Sequence, residues 1–255
     1  MTLNRKLLSA FCFAFILVGC GERSSSPIAV APVSASNQLI NAPLALVPSQ
    51  QFTSRPPAAI ATLSHAGVCP SAGALGPQFD AIVPPHSVDV ALFDSAVLHF
   101  TNIKRCANGV APVAGDPALR QIATTHSNDM ATLNFFSHTS PVSGRNNLSD
   151  RLKGAGINFM DASENIALRS RLQMISGRSF VVRNRAACDF AYDGQKIQPH
   201  SYRSMAAGFV QAWQDSPGHR ANLLNPVYKR LGTGGSFKSN SRNCGDIVAT
   251  QNFAA

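Results

Sequence analysis

Residues 202–235 read YRSMAAGFVQAWQDSPGHRANLLNPVYKRLGTGG, and this stretch decides the fold. Tyr202, Met205, Ala206, Phe209, Val210 and Trp213 recur at helical spacing and form an unbroken apolar stripe. The stripe stops at Ser216-Pro217-Gly218. Ser216 is placed to cap a second, short helix with Pro217 in its first turn, and Asn225-Pro226 ends that helix. The glycine-rich run from Leu231 to Gly235 then reads as a strand. Helix, short helix and strand within 34 residues imply a layered domain in which helices cover a sheet.

Working outward, Val90, Phe93, Val97 and Phe100 predict a helix that ends near Arg105–Gly109. Asp116 followed by Pro117 starts another, whose apolar face runs through Leu119, Ile122, Ala123, His126, Met130 and Leu133. A third covers about Leu148 to Ala155 and stops at Gly156. Glu164, Ile166 and Leu168 alternate with Ser163, Asn165 and Ala167 as in a strand, and Val248–Phe253 reads as another. The pattern is that of a mixed helix–sheet domain.

The N-terminus has a different character. Arg5 and Lys6 precede an apolar run from Leu7 to Val18 that is too short to span a bilayer comfortably, so residues 1–19 read as an export signal peptide. The run ends in Leu17-Val18-Gly19-Cys20, similar to the lipobox of bacterial lipoproteins, in which the cysteine becomes the lipidated N-terminus. Multiple acyl chains anchor such a protein stably to a membrane. The expected location is exported and lipid-anchored: the outer membrane facing the periplasm, or the cell surface. Residues 20–85 hold ten of the sixteen prolines and only Glu22, Arg23, Arg55 and Asp80 as charges, and they read as a Pro/Ser/Ala-rich tether. Residues 86–255 then form the folded domain.

The composition narrows the partners. Hydrophobic residues at 45% exclude a wholly disordered chain, and charged residues at only 14% argue against a coiled coil or a highly charged scaffold. The net charge of +9 permits an anionic partner without choosing one. Arg169, Arg171, Arg178, Arg183 and Arg185 form a basic run with no acid among them, read as a solvated loop face. No aromatic platform is interleaved with the run, so nucleic acid is not the expected partner. With Cys20 lipidated, Cys69, Cys106, Cys188 and Cys244 remain, and export to an oxidising compartment predicts two disulfides. Three connectivities are open, of which proximity along the chain favours Cys69–Cys106 and Cys188–Cys244.

Several residues could carry chemistry. The strand register turns Glu164 toward the apolar layer, where a carboxylate needs a proton, a hydrogen-bond donor, a cation or a metal. His138 follows Phe135 and Phe136, which supply apolar anchoring, and His219 lies in the first turn of the short helix, where the helix dipole favours a neutral ring. His126 reads as a buried structural histidine. No Gly-x-Ser-x-Gly elbow, Walker-type loop or dinucleotide fingerprint occurs.

HSNDMATLNFFSHTSP (126–141), RLKGAGI (151–157), SENIAL (163–168), AWQDSPGHRANLLNPVYKRLGTG (212–234) and TQNF (250–253) follow one another in an order that resembles the bacterial branch of the CAP superfamily, the SCP-like extracellular domain. The resemblance implies an α+β fold, a three-layer α–β–α sandwich with a central cleft. In the wider family two histidines and two acids line that cleft. By motif His138, Glu164 and His219 match three of them. Ser216 stands at the fourth position, with Asp215 beside it. The resemblance implies that His138, Glu164 and His219 can hold a divalent metal, and two histidines, a carboxylate and water suffice for zinc. The anchor, the long tether, the incomplete acid set and the Arg run point to an envelope lipid or glycan engaged by the cleft and the basic insertion, with a metal-assisted hydrolase or a structural envelope protein as alternatives.

Overall fold

A computed structural model of the chain describes residues 68–255 apart from 72, 74 and 240–242. The signal peptide, Cys20 and most of the tether therefore lie outside the described residues. The helices are α1 (Val90–Ala107), α2 (Pro117–Thr132), α3 (Leu148–Gly154), α4 (Tyr202–Asp215) and α5 (Pro217–Leu223). The strands are β1 (Ala114–Gly115), β2 (Ala162–Ser170), β3 (Val181–Asn184), β4 (Asp189–Tyr192), β5 (Gln195–Lys196), β6 (Arg230–Lys238) and β7 (Asp246–Ala254).

The helices begin where the caps lie. Asp89 accepts from the Leu92 amide at 3.0 Å, and Asp116 accepts from the Ala118 and Leu119 amides at 2.8 and 3.2 Å. Asn147 with Asp150, and Ser201 with Ser204, form reciprocal capping boxes. Ser216 stands at the N-cap of α5, but its side chain makes no cap bond there; Pro217 and the turn itself start that helix.

The main sheet runs β1-β6-β7-β2, with β1 parallel to β6 and the other pairs antiparallel. All nine residues of β7 are buried, as expected of a central strand covered on both faces. On one face Ile247, Ala249 and Phe253 pack with Phe93, Val97, Phe209 and Trp213 of α1 and α4. On the other, Val248 meets Met130 and Ile166, while Ala254 meets Leu119, Ile122 and Leu152 of α2 and α3. This is an α–β–α sandwich. The glycine-rich strand β6 is what lets α2 lie so close: a Cβ at Gly232 or Gly234 would fall 2.1 Å from the backbone nitrogen of Arg120 or Thr124.

Three sequence expectations change. Leu75, Phe79 and Val83, assigned to the tether, are buried in the main core, and Arg203 binds Asp80 at 2.6 Å. The packed domain therefore reaches back to Leu75. Leu168 is 41% exposed, because α2 ends at Thr132 and its covering reaches Ile166 but not the end of β2. The basic run is not a uniformly solvated face. Arg171 is buried and donates to the Val83 carbonyl at 3.3 Å, Arg183 pairs with Asp189 at 2.8 Å, and Arg178 pairs with Asp193.

That segment holds the small sheet β3-β4-β5, which no periodicity announced. Leu172, Phe190 and Ile197 give it a core of its own. Two disulfides fix the periphery and settle the connectivity: Cys69–Cys106 ties the start of the domain to α1, and Cys188–Cys244 ties the small sheet to the turn before β7.

Candidate functional site

Glu164 sits on β2 opposite Asn252 of β7, with 8% of its surface exposed. Burying a carboxylate demands partners. Arg151 of α3 donates to Oε2 at 2.6 Å from a side chain only 1% exposed. His138 donates from Nδ1 to Oε1 at 2.9 Å, and the Nε2 of His126 lies 3.8 Å from the same oxygen. Both oxygens of Glu164 are thus engaged, one by a buried guanidinium and one by an imidazole whose side chain is 55% exposed.

The loop carrying His138 is held from below. Arg151 donates to the His138 carbonyl at 3.4 Å and to the Arg145 carbonyl at 3.1 Å. His126, fully buried on α2, donates from Nε2 to the Ser137 carbonyl at 3.0 Å. Burial holds its pKa below the usual imidazole value against the opposing pull of Glu164. Phe135 packs on Met130, Ile166 and Val248, but Phe136 is 49% exposed, so only the first of the two phenylalanines anchors the loop.

His219 reaches the same face from α5. The Asn165 amide donates to the His219 carbonyl at 3.2 Å, and Asn222 donates to the Glu164 carbonyl at 3.3 Å and to the Asn165 side-chain oxygen at 2.9 Å. Asn165 also donates to Gln251, which donates to Thr101 of α1. This buried polar chain sets α5 against β2. The pKa of His219 is lowered by burial first and by the nearness of His138 second.

Asp215 is not drawn into the cluster. It is exposed and accepts a bond from Gln211, one turn back on α4, at 2.7 Å. Ser216 is half-buried at the junction of α4 and α5, where its carbonyl accepts from Arg220 at 2.8 Å. Arg151, Asn165, Asn222 and Gln251 were not singled out from the sequence. The available signal was a run of polar residues inside strands flanked by apolar ones: Asn165 after Ser163 and Glu164 in SENIAL, and Gln251 between Thr250 and Asn252 in TQNF.

A cavity of about 330 Å³ opens between α2 and α3, lined by Ile122, Thr125, Arg145, Asp150 and Arg151. It adjoins the back of Arg151 rather than the two histidines. Among the described residues, no group of three or more His, Cys, Asp or Glu side chains is arranged to hold a metal ion. The set His138, Glu164 and His219 does not fit a divalent ion as it stands, since Glu164 is already neutralised by Arg151 and a cation there would face a guanidinium.

Donation from Nδ1 to Glu164 leaves the Nε2 of His138 at a half-exposed position. His138 thus stands over a buried ion pair, with His219 near it, on an α–β–α sandwich. The cysteine-rich secretory protein family, CAP, matches residues 98–253, well over half of the chain, and the chain belongs to that family. It is 30% identical over 145 residues to the uncharacterized protein YkwD of Bacillus subtilis, covering 57% of this chain and 43% of that one. It is 30% identical over 150 residues to the uncharacterized membrane protein YlbC of the same organism, covering 59% and 33%. The chain thus spans less than half the length of these relatives. A solved extracellular protein containing an SCP domain from Bacillus anthracis is 28% identical, with a TM-score of 0.43 over 64% of this chain and 40% of that one. A solved outer surface protein from Borrelia burgdorferi is 15% identical, with a TM-score of 0.44 over 67% and 98%.

Proposed function

We propose that the chain is an exported domain, held to its membrane through a lipidated Cys20, that binds an envelope lipid or glycan at the face formed by His138 and His219 over Glu164. One observation carries the reading. Glu164 spends both oxygens inside the protein, on Arg151 and His138, so its work is to orient an exposed imidazole rather than to meet a substrate itself. Two neighbouring imidazoles with ring nitrogens free to hydrogen-bond suit the hydroxyl groups of a glycan or a lipid head. The leader-like residues 1–19 and the two disulfides support export, since disulfides persist in oxidising compartments. The relative YlbC is described as a membrane protein, which accords with the anchor.

The test uses natively exported protein beside a His138→Ala/His219→Ala variant. Bound material is split into organic-soluble and sugar fractions, and metal is measured on the same sample. The reading expects a lipid or a glycan in stoichiometric amount that the double variant loses, the fraction deciding which. The same ligand retained undiminished by the variant would overturn the site. Stoichiometric zinc lost with the two histidines would favour the metal-assisted hydrolase, and a protein carrying neither ligand nor metal would favour a structural envelope role.

A further inference from the structure

The segment between β2 and α4 carries a second cavity, of about 220 Å³, on which the His138 face does not depend. Its walls include Leu168, Leu172, Met174 and Ile175, with Arg169 and His200 among them. Leu168 and Ile175 are 41% and 52% exposed, so the mouth is open and apolar on their side, while Ser170 and Ser176 add polar walls beside Arg169 and His200.

Arg169 is the unusual member. Arg120, Arg145, Arg151, Arg178, Arg183, Arg203 and Arg230 each pair with a carboxylate. Arg105 instead donates to the carbonyls of Ala111, Leu223, Asn225 and Tyr228. Arg171 and Arg220 likewise lack a carboxylate but donate to the carbonyls of Val83 and Gln214, whereas Arg169 has neither an ion pair nor a hydrogen bond among the described residues, its Nε, like those of Arg145, Arg151 and Arg171, being buried without a partner. Burial lowers its pKa. The guanidinium lies on α4 at Gly208, where a Cβ would fall 2.7 Å from Nη2, and its Cζ is 5.9 Å from the centre of the Phe209 ring. His200 supplies no countercharge. Its pKa is pushed down to about 4 by burial and by Arg169, and its Nδ1 is 2.9 Å from the Ser204 hydroxyl.

A glycine inside a helix weakens that helix, and a part-buried cation without a counter-ion is costly. Both costs are borne to seat one guanidinium at the edge of a cavity whose other side is apolar. We propose that Arg169 binds the carboxylate or phosphate head of an anionic amphiphile, with the start of its chain between Leu168, Leu172, Met174 and Ile175. At about 30 Å³ per water-sized group, 220 Å³ takes about seven such groups, a head and a short length of chain. The rest of the chain runs out over the exposed Ile175 and Leu168.

Calorimetric titration of the full chain carrying Cys20→Ser, which removes the acyl anchor from the vesicle readout, tests this with decanoate, decyl phosphate, inorganic phosphate, the neutral decyl glucoside and phosphatidylglycerol vesicles. The two charged amphiphiles bind saturably at one per chain. Inorganic phosphate and decyl glucoside bind about tenfold more weakly or worse, as does decyl phosphate to Arg169→Gln, which has lost a charge-assisted hydrogen bond. Ile175→Asp, which sets a like charge at an already exposed position, shows the same loss. Adding Arg169→Gln to His138→Ala/His219→Ala still lowers decyl phosphate binding about tenfold, so the loss does not pass through the two histidines. Arg169→Gln also unfolds at the same or higher denaturant concentration, because it removes an unpaired charge. Vesicle binding that Arg169→Gln abolishes assigns a membrane lipid as the source, and binding of the free amphiphiles alone assigns a soluble one. Either result supports the site. No saturable binding to the unaltered chain, or equal binding to Arg169→Gln and Ile175→Asp, would overturn it.

Discussion

Glu164 and Arg151 place opposite charges 2.6 Å apart behind side chains only 4% and 1% exposed. Removing one partner strands the other, and a broken buried pair costs about 3–5 kcal/mol. Glu164→Gln is therefore expected to lower the unfolding free energy by that amount in a denaturant titration, well beyond His138→Ala at an exposed ring. Equal, small losses for both would mean that the pair is not the foundation of the face. Asp94 gives a second residue-scale prediction. Burial pushes its pKa up from 3.8 to about 7, against the pull of the Thr233 amide and Arg120. The folded state thus holds that proton more tightly than the unfolded chain. Its contribution to stability is full below about 3.8 and is lost as pH rises through about 7. His200, held down to about 4, works in the opposite sense: its contribution is present above 6.5 and is lost as pH falls to about 4. Asp94→Asn removes the first of these slopes, so its stability should fall more steeply between pH 6.5 and 4 than that of the unaltered chain. Unfolding titrations across that range measure it, and an unchanged slope would contradict it.

At the scale of elements, strand β6 shows how the sheet accepts α2. A Cβ at Gly234 would meet the Thr124 nitrogen at 2.1 Å, which is backbone and cannot swing aside. Gly234→Ala should cost about 3 kcal/mol by forcing helix and sheet apart. Thermal unfolding reads that loss, and a wild-type midpoint would show that α2 has room to move. This strand was legible in the sequence as a glycine-rich run, and the α4 stripe was legible from its period. Asn165 was not legible as a site residue, because strand alternation assumes one wet face. Here both faces of β2 are covered near Glu164, so a polar residue on the supposedly solvent side is buried and bridges to α5. Arg151 escaped for the opposite reason: in a seven-residue helix with Asp150 and Lys153 beside it, one more charge looks solvated. Strands β3 and β5 offered no pattern, the first exposed along its whole length and the second only two residues long.

At the scale of the molecule, two disulfides close loops at opposite margins of the domain, with sequence separations of 37 and 56. Loop closure of that length stabilises by about 4 kcal/mol each in the chain-entropy account. Reduction should therefore lower the thermal midpoint, and Cys188→Ser/Cys244→Ser should loosen the small sheet before the main one in hydrogen exchange. Uniform loosening would contradict the separate core of Leu172, Phe190 and Ile197. The main core, by contrast, joins Leu75 and Phe79 to α1, α4 and β7, so truncation before α1 is expected to destabilise the whole domain. On this frame the proposed ligand face is a surface feature resting on a buried ion pair. Native mass spectrometry of the exported protein tests that claim most directly. With Arg169→Gln in both proteins to empty the second cavity, an organic adduct at one per chain is expected, and it is expected to disappear when His138→Ala/His219→Ala is added. A zinc adduct in its place, or the same organic adduct on both proteins, would contradict it.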